Sequence, residues 1–251
     1  MLREELVFGP IHSRRLGSSL GINLLPTKGK LCNFDCIYCE CGWNKDGKGD
    51  YRLPKSTEFR VVLEKKLIEC LDAGEHIDSV TFSGDGEPTL NPDFPQIIDI
   101  TIELGHKYYP NAKISVLSNA TRVGCQEVFE ALKKVDNPIM KIDAPTDALV
   151  RLINNPAPGY KVAEVIKNLK KFNGDFILQT MFLKSPEFDS SSPEVLDRWM
   201  DIVRELNPRE VMVYTLDREA PMAGLHKFTA EQMLKMVQPL IKEQFNIQIR
   251  G

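Results

Sequence analysis

The sequence predicts an α/β fold in which parallel strands are covered by helices on the outside. Short apolar segments typical of buried strands alternate with segments whose apolar residues recur at helical spacing. This alternation continues through six strand–helix units, as in proteins with a parallel sheet. Polar residues or glycine follow every strand from the second to the sixth, so the strand ends are expected to form one site.

The predicted strands are apolar segments bounded by residues that favour turns. They cover residues 20–25, 79–82, 113–117, 138–142, 176–182 and 210–215, with a last short strand at 247–249. Residues 7–19 are rich in Gly, Pro and Ser and are predicted to be irregular.

Helix boundaries are predicted from capping residues. Ser56 is expected to cap a helix that ends at Gly74. Asn91 and Pro92 are expected to open the next helix. Further helices are predicted over 125–135, from Thr146 to a break at Asn155-Pro156, from Lys161, from Ser192, and from a capping box at Thr229–Gln232 to about Gln244.

Composition and charge exclude several classes of protein. The 251 residues carry a net charge of −3, which does not support a broad nucleic-acid-binding surface. The charged N-terminus lacks a secretory signal, and no apolar run approaches membrane-spanning length. We therefore expect a cytoplasmic protein with no membrane partner. We expect one domain over 1–251, with an N-terminal extension at 1–19 and a C-terminal helix and short strand at 218–251.

The most specific motif is a run of three cysteines, Cys32, Cys36 and Cys39, spaced C-x3-C-x2-C. In a reducing compartment, clustered cysteines indicate a metal site or a catalytic site. Three soft thiolates suit iron–sulfur or zinc chemistry. Cys41 follows closely, so a four-thiolate zinc site is the alternative.

With Tyr38 before the last thiol, the pattern resembles the signature of the radical S-adenosylmethionine (radical SAM) superfamily. The resemblance implies that the three cysteines hold a 4Fe-4S cluster and that SAM binds its fourth iron. One electron, from a reductant of the flavodoxin or ferredoxin type, would then release a 5′-deoxyadenosyl radical that abstracts hydrogen from a substrate. The resemblance also implies a partial (β/α)6 barrel, open on one side. Tyr38 would stack on the bound cofactor.

The turn Gly84-Asp85-Gly86-Glu87 follows the second predicted strand and resembles the family's glycine–glycine–glutamate motif. In the family, this motif binds the methionyl amine of SAM. The glycines here are not adjacent, so both Asp85 and Glu87 are candidates for the contact.

Other strand ends supply further candidates. The resemblance implies that Ser118 and Asn119 approach the ribose or carboxylate of SAM, and that the strand ending at Tyr214 approaches the adenine. Lys141 and Asp143 share one face of the fourth strand by alternation. If that face is the interior, they are candidate catalytic residues beside cofactor or substrate.

The chain as a whole resembles the branch of the superfamily that contains the wybutosine-type tRNA imidazoguanosine synthetase. The residues that carry this resemblance are Gly9-Pro10, residues 13–17, Leu20-Gly21 and residues 86–90. No cysteine precedes Cys32, so the cysteines of that enzyme's second cluster are missing. The substrate therefore stays open among small molecules, peptides and RNA. The alternatives are a glycyl-radical activase acting on a partner protein, and a non-catalytic iron–sulfur or zinc module. Arg14 or Arg15 is expected to reach an anionic group.

Overall fold

The structure is a computed structural model that describes residues 5–13, 16–47, 52–218 and 220–251. Arg14 and Arg15 lie outside these ranges. Contacts divide the chain into two compact units. The first unit consists of Met1–Cys32, Asn44–Ser118 and Gly124–Pro138, and the second of Asn33–Trp43, Asn119–Val123 and Ile139–Gly251. That the chain acts as a single domain stays a prediction.

The first unit combines four complete strands with three helices. Its strands are β1 (Val7–Ser13), β2 (Gly17–Ile22), β3 (Ser79–Phe82) and β4 (Lys113–Ser118), and β5 (Asn137–Lys141) begins in it. Its helices are α1 (Ser56–Asp72), α2 (Phe94–Tyr108) and α3 (Gln126–Leu132). Strands β1 and β2 are antiparallel, whereas β2, β3 and β4 are parallel neighbours in that order.

The second unit contains the rest of β5 and the remaining elements. Its other strands are β6 (Ile177–Met181), β7 (Leu183–Lys184), β8 (Glu210–Tyr214), β9 (His226–Lys227) and β10 (Ile247–Arg250). Its helices are α4 (Asp147–Asn154), α5 (Val162–Leu169), α6 (Pro193–Leu206) and α7 (Ala230–Lys242). Strands β5, β6, β8 and β10 are parallel neighbours, and β7 pairs with β9.

The predicted α/β class is confirmed. Parallel pairing predominates within each unit, and helices alternate with the strands along the chain. Every predicted strand is present, although the first is shifted to Gly17–Ile22. Within the described ranges, no helix is long and apolar enough to span a bilayer.

The prediction that residues 7–19 are irregular is wrong for the described residues of this range, because β1 pairs with the start of β2 there. Phe8 pairs with Gly21, and a side chain at Gly21 would overlap the Phe8 ring. The pairing shifts register between Phe8 and Ile11, where Pro10 cannot donate a backbone hydrogen bond. Gly and Pro therefore mark a bulge and a close contact inside a strand pair.

Two predicted helix starts are also wrong. Ser56 does not cap α1; it is the first helical residue, and its N–H donates to Asp93 Oδ2 at 2.8 Å. Helix α2 begins at Phe94 instead of Pro92. Asn91 instead donates through Nδ2 to the carbonyls of Leu24 and Pro54, at 3.0 and 2.9 Å. These polar residues join separate segments, which local capping rules do not anticipate.

The capping box at Thr229 is confirmed. Its hydroxyl accepts from the Gln232 N–H at 3.2 Å, and the Gln232 side chain accepts from the Thr229 N–H at 2.8 Å. Two backbone N–H groups at the start of α7, those of Thr229 and Gln232, are thereby satisfied.

Two glycine substitutions should change stability in opposite directions. Gly105 lies inside α2, and the nearest atom to an added Cβ is Ile114 Cδ1 at 3.9 Å, so Gly105→Ala should raise the free energy of unfolding by about 0.5–1 kcal/mol. Gly86 has φ of 142°, and a Cβ there would overlap the Leu31 carbonyl. Gly86→Ala should therefore lower the free energy of unfolding by more than about 1 kcal/mol. Urea denaturation measures both. A neutral Gly86→Ala would contradict the described turn.

Candidate functional site

The part of the cysteine motif in the second unit is held against the end of α4. The N–H of Asp35 donates to the Asn154 carbonyl at 2.8 Å, and that of Ile37 to the Ile153 carbonyl at 3.0 Å. The last carbonyls of a helix have no partner within the helix. Here they accept hydrogen bonds from the loop and so fix its path. The helix ends because Asn155 adopts a left-handed conformation, with φ of 39°.

Two cysteines of the motif occupy one turn of this loop. The Cys39 N–H donates to the Cys36 carbonyl at 3.1 Å. Asn154 Nδ2 donates to Cys36 Sγ at 3.3 Å. Burial, followed by the negative charge of Asp143, raises the pKa of Cys36 to about 11, and the hydrogen bond from Asn154 opposes this shift. The thiol is therefore protonated at neutral pH until a cation replaces the proton.

Tyr38 and Asp143 form a buried polar pair beside this thiol. The Tyr38 hydroxyl donates to the Asp143 carboxylate. Asn154 Nδ2 lies 2.8 Å from the Tyr38 hydroxyl and 2.7 Å from Asp143 Oδ2. The Met181 N–H donates to the other oxygen, Oδ1, at 2.9 Å. Asp143 is thus held on both oxygens, and Asn154 links it to the cysteine loop.

Lys141 forms an ion pair with Asp143, and both side chains therefore lie on the same face of the chain, as predicted. Its ammonium lies 3.2 Å from Asp143 Oδ1, and the side chains are 15% and 1% exposed. It also donates to the Tyr214 hydroxyl and lies 5.2 Å from the centre of the Tyr38 ring. Burial lowers the pKa of Lys141, but Asp143 and Tyr214 outweigh burial, so its pKa is raised. Burial also raises the pKa of Tyr38.

The predicted glycine-containing turn lies in the first unit, directly after β3. Asp85 forms a reciprocal pair with Asn23: the Asp85 N–H donates to Asn23 Oδ1 at 3.0 Å, and Asn23 Nδ2 donates to Asp85 Oδ2 at 3.2 Å. The Leu31 N–H donates to the Asp85 carbonyl at 3.0 Å, and the Glu87 N–H to the Leu31 carbonyl at 3.1 Å. A side chain at Gly84 would overlap Asn23. Close backbone approach therefore requires the glycines.

Glu87 and Ser118 come together in the first unit, although they follow different strands. The Ser118 hydroxyl donates to Glu87 Oε1 at 2.8 Å, and the Thr89 hydroxyl donates to the same oxygen at 2.6 Å. The Glu87 side chain is buried, at 2% exposure. A buried carboxylate that accepts several hydrogen bonds is rigidly oriented.

Asn119 lies in the second unit and contacts the cysteine loop. Its Nδ2 donates to Asn33 Oδ1 at 2.6 Å, and Asn33 Nδ2 donates to the Thr121 hydroxyl at 2.6 Å. The backbone carbonyl of Tyr214 accepts from the Phe182 N–H at 2.7 Å. The cofactor contacts predicted for Asn119 and Tyr214 stay predictions.

The residues present suit an iron–sulfur cluster in their donor chemistry. Three thiols within eight residues match the ligands that such clusters use. Cys36 and Cys39 share a turn in the second unit, and Cys32 belongs to the first unit. Among the described residues, no group of three or more His, Cys, Asp or Glu side chains is assembled to hold a metal ion. Thiols do not attract one another, and metal binding requires that they lose their protons.

Comparison with protein families identifies the class. The model of the radical SAM superfamily matches residues 27–189, so the chain belongs to this superfamily. Membership implies an enzyme that uses an iron–sulfur cluster and SAM. The predicted family is therefore confirmed.

The two curated relatives described next are longer than this chain. The chain is 30% identical over 238 residues to a protein named GTPase Obg from Brachyspira hyodysenteriae, a match that covers 93% of this chain and 33% of that protein. It is 29% identical over 216 residues to a UPF0026 protein from Methanocaldococcus jannaschii, covering 84% of this chain and 63% of the relative. The chain thus spans about one third and 63% of the lengths of these two relatives.

Solved structures show the same fold. A radical SAM methyltransferase from Sphaerobacter thermophilus matches with a TM-score of 0.71 and 16% identity, over 92% of this chain and 66% of that one. TYW1 with a lysine-pyruvate adduct bound matches with a TM-score of 0.64 and 12% identity, over 91% of this chain and 75% of that one. The radical SAM fold predicted for the chain, a partial barrel of parallel strands with helices outside, is confirmed.

Asn154 was not predicted as a site residue, although it contacts Cys36, Tyr38 and Asp143. Its local signal was the helix break at Asn155-Pro156, which we interpreted only as a boundary. Asn23 and Asn33 were not predicted either, and their partners lie 62 and 86 residues away in the chain. No local pattern marks such long-range contacts.

Removing the charge of Asp143 should destabilise the protein. Asp143→Asn keeps the shape of the side chain but leaves the buried Lys141 ammonium without its carboxylate, so we expect a loss of about 3 kcal/mol in the free energy of unfolding. Urea denaturation measures it. Glu69→Gln is the control, because its ion pair with Lys65 is exposed and should contribute less than about 0.5 kcal/mol. Equal losses of unfolding free energy in the two variants would contradict the prediction that the buried ion pair contributes more than the exposed one.

Proposed function

We propose that the chain is a radical SAM enzyme that holds a 4Fe-4S cluster through Cys32, Cys36 and Cys39. When bound, this cluster supplies the electron that splits SAM to methionine and a 5′-deoxyadenosyl radical, which abstracts hydrogen from the substrate. The observation that carries the proposal is the cysteine motif in a chain of this superfamily, on a loop that hydrogen bonds fix against α4.

In this proposal, Glu87 contacts the methionyl amine of SAM. Asp85 is the less suitable candidate, because both its backbone N–H and its carboxylate are engaged by Asn23. Glu87 is oriented by Thr89 and by Ser118, itself a predicted cofactor contact. A buried carboxylate in a fixed orientation is suited to an ammonium.

Lys141, Asp143 and Tyr38 form the polar surface beside the cysteine loop in the second unit. Asp143 is a candidate for accepting from ribose hydroxyls, and the Lys141 ammonium, whose pKa is raised, is a candidate for holding a carboxylate. The Tyr38 ring is a candidate stacking surface. Asn154 would position both Tyr38 and Cys36.

Further features of the proposal concern its partners. A reductant of the flavodoxin or ferredoxin type would supply the electron. Six cysteines without a disulfide are typical of a reducing compartment, which favours the cytoplasm.

The proposal is tested by anaerobic reconstitution with iron and sulfide. We expect about four irons per chain and 5′-deoxyadenosine from SAM in the presence of dithionite. Cys36→Ala should lose at least about nine tenths of the 5′-deoxyadenosine formed, because one of the three protein ligands that would hold the cluster is removed. Cys125→Ala is the matched control, since Cys125 lies outside the motif and precedes α3. Quantitative chromatography measures the product.

Two outcomes would count against the proposal, and a third would identify the substrate as a partner protein. Zinc in the purified protein with no SAM cleavage would support a non-catalytic zinc module. Iron binding without SAM cleavage would support an iron–sulfur module. A glycyl radical on an added partner protein, seen by electron paramagnetic resonance, would support the activase alternative.

The two acidic residues of the turn should differ in their effect on SAM. Glu87→Gln removes the charge that the amine would contact, so we expect the KM for SAM to rise at least about tenfold, equivalent to about 1.4 kcal/mol. Asp85→Asn should change this KM by less than about threefold, because the Asn23 pair preserves the backbone. Steady-state formation of 5′-deoxyadenosine measures both. A larger rise in this KM for Asp85→Asn than for Glu87→Gln would assign the contact with the SAM amine to Asp85.

A further inference from the structure

Among the described residues of the second unit, four buried polar side-chain atoms have no hydrogen-bond partner, and they share one face of the sheet in that unit. They are Gln179 Nε2 on β6, Glu210 Oε1 on β8, and Gln248 Oε1 and Arg250 Nε on β10. Buried polar atoms are normally paired, so a cluster of unpaired ones requires an explanation.

The strand register establishes the shared face. Lys141, Gln179, Met212 and Gln248 are lateral neighbours in one row across β5, β6, β8 and β10. In the next row, Arg250 is the neighbour of Tyr214. Residues two apart in a strand point to the same face, so Glu210 and Tyr214 share the face of Met212. The same face carries the Lys141–Tyr214 contact beside the cysteine loop.

Gln179 is the most informative of the four residues. It is 3% exposed, so its unpaired amide lowers the stability of the fold. The next residue, Thr180, points to the opposite face and is fully paired: its hydroxyl donates to the Ile142 carbonyl at 2.7 Å and accepts from Trp199 Nε1 at 3.0 Å. The unpaired atoms are therefore confined to the face that carries Lys141.

The four atoms have complementary chemistry. Gln179 and Arg250 offer donors, whereas Gln248 and Glu210 offer acceptors. A guanidinium is suited to a planar oxyanion, which it binds through two N–H groups. Gln179 and Gln248 stand on either side of Met212, about 10 Å apart at their Cα atoms by strand spacing. Their side chains would converge on one small planar group over Met212.

We propose that this face binds the substrate, and that the substrate is a small molecule with an oxyanion close to an amide group. The inference rests on the proposed function and names the substrate class for it. Gln179 donates to the amide oxygen, Gln248 accepts from the amide N–H, and Arg250 binds the oxyanion. Polar groups that are unpaired in the free protein are then paired by the ligand. A ligand that lacks the matching groups would leave them unpaired, so the site is selective for this class of substrate.

A comparison of melting temperatures tests whether Gln179 lowers the stability of the free protein, as expected for a residue whose role is to bind a ligand. Gln179→Leu removes an unpaired buried amide, so we expect Tm to rise by about 2 °C or more. Thr180→Val is the matched control on the same strand, and it should lower Tm because it leaves the Trp199 N–H unpaired. Differential scanning calorimetry of the full chain measures both. A fall in Tm for Gln179→Leu comparable to that of Thr180→Val would overturn the inference.

Three probes of similar shape test the ligand class. N-acetylglycine carries a carboxylate, acetamidomethylphosphonate carries a phosphonate, and N-acetylglycinamide carries neither. We expect at least one of the two oxyanion probes, at about 10 mM, to raise the Tm of the wild-type protein, and the neutral probe to leave it unchanged. The comparison between carboxylate and phosphonate identifies the oxyanion.

Variants connect the probes to the face. Gln179→Leu should abolish the shift, and Arg250→Gln should remove the preference for the oxyanion over the neutral probe. No shift with either oxyanion probe, or an unchanged shift in both variants, would overturn the inference. These measurements need no SAM cleavage, so their failure is distinct from a failure of the wild-type protein to bind iron or to form 5′-deoxyadenosine.

Discussion

The cysteine loop depends on the carbonyl groups at the end of α4. A loop without regular structure must satisfy its own backbone donors, and a helix end leaves acceptors unused. The N–H groups of Asp35 and Ile37 meet this need by donating to the carbonyls of Asn154 and Ile153. The same helix end supplies the Asn154 side chain. One helix terminus thus fixes the path of the loop and supplies the polar contact to Cys36.

The buried charges next to this loop are stable only as a set. Lys141 and Asp143 would each be costly to bury alone, but together with Tyr38, Tyr214 and Asn154 they form a connected network. Such a network defines the position of every member, because moving one leaves another unpaired. In the proposed function, this rigid polar surface beside the cysteine loop would hold the reacting atoms close, as a short-lived radical requires.

Sequence periodicity predicted the central elements well because their signals are local. Buried strands such as β3 and β8 are apolar runs between turns, and the Thr229 capping box is complete within four residues. The errors arose where distant segments meet. Val7–Ser13 forms a strand because β2 supplies partners, and the start of α1 is bonded to Asp93, 37 residues away.

The sequence by itself determined the family, the cysteine motif and the alternation of strands and helices, because each is encoded in the order of nearby residues. The shared face of Lys141 and Asp143 also followed from alternation within one strand. Only the tertiary structure decided that Asn154 contacts Cys36, that Glu87 meets Ser118, and that the Gln179 amide is left unpaired. These contacts join residues far apart in the chain, and whether a buried polar atom finds a partner depends on packing that no local pattern records.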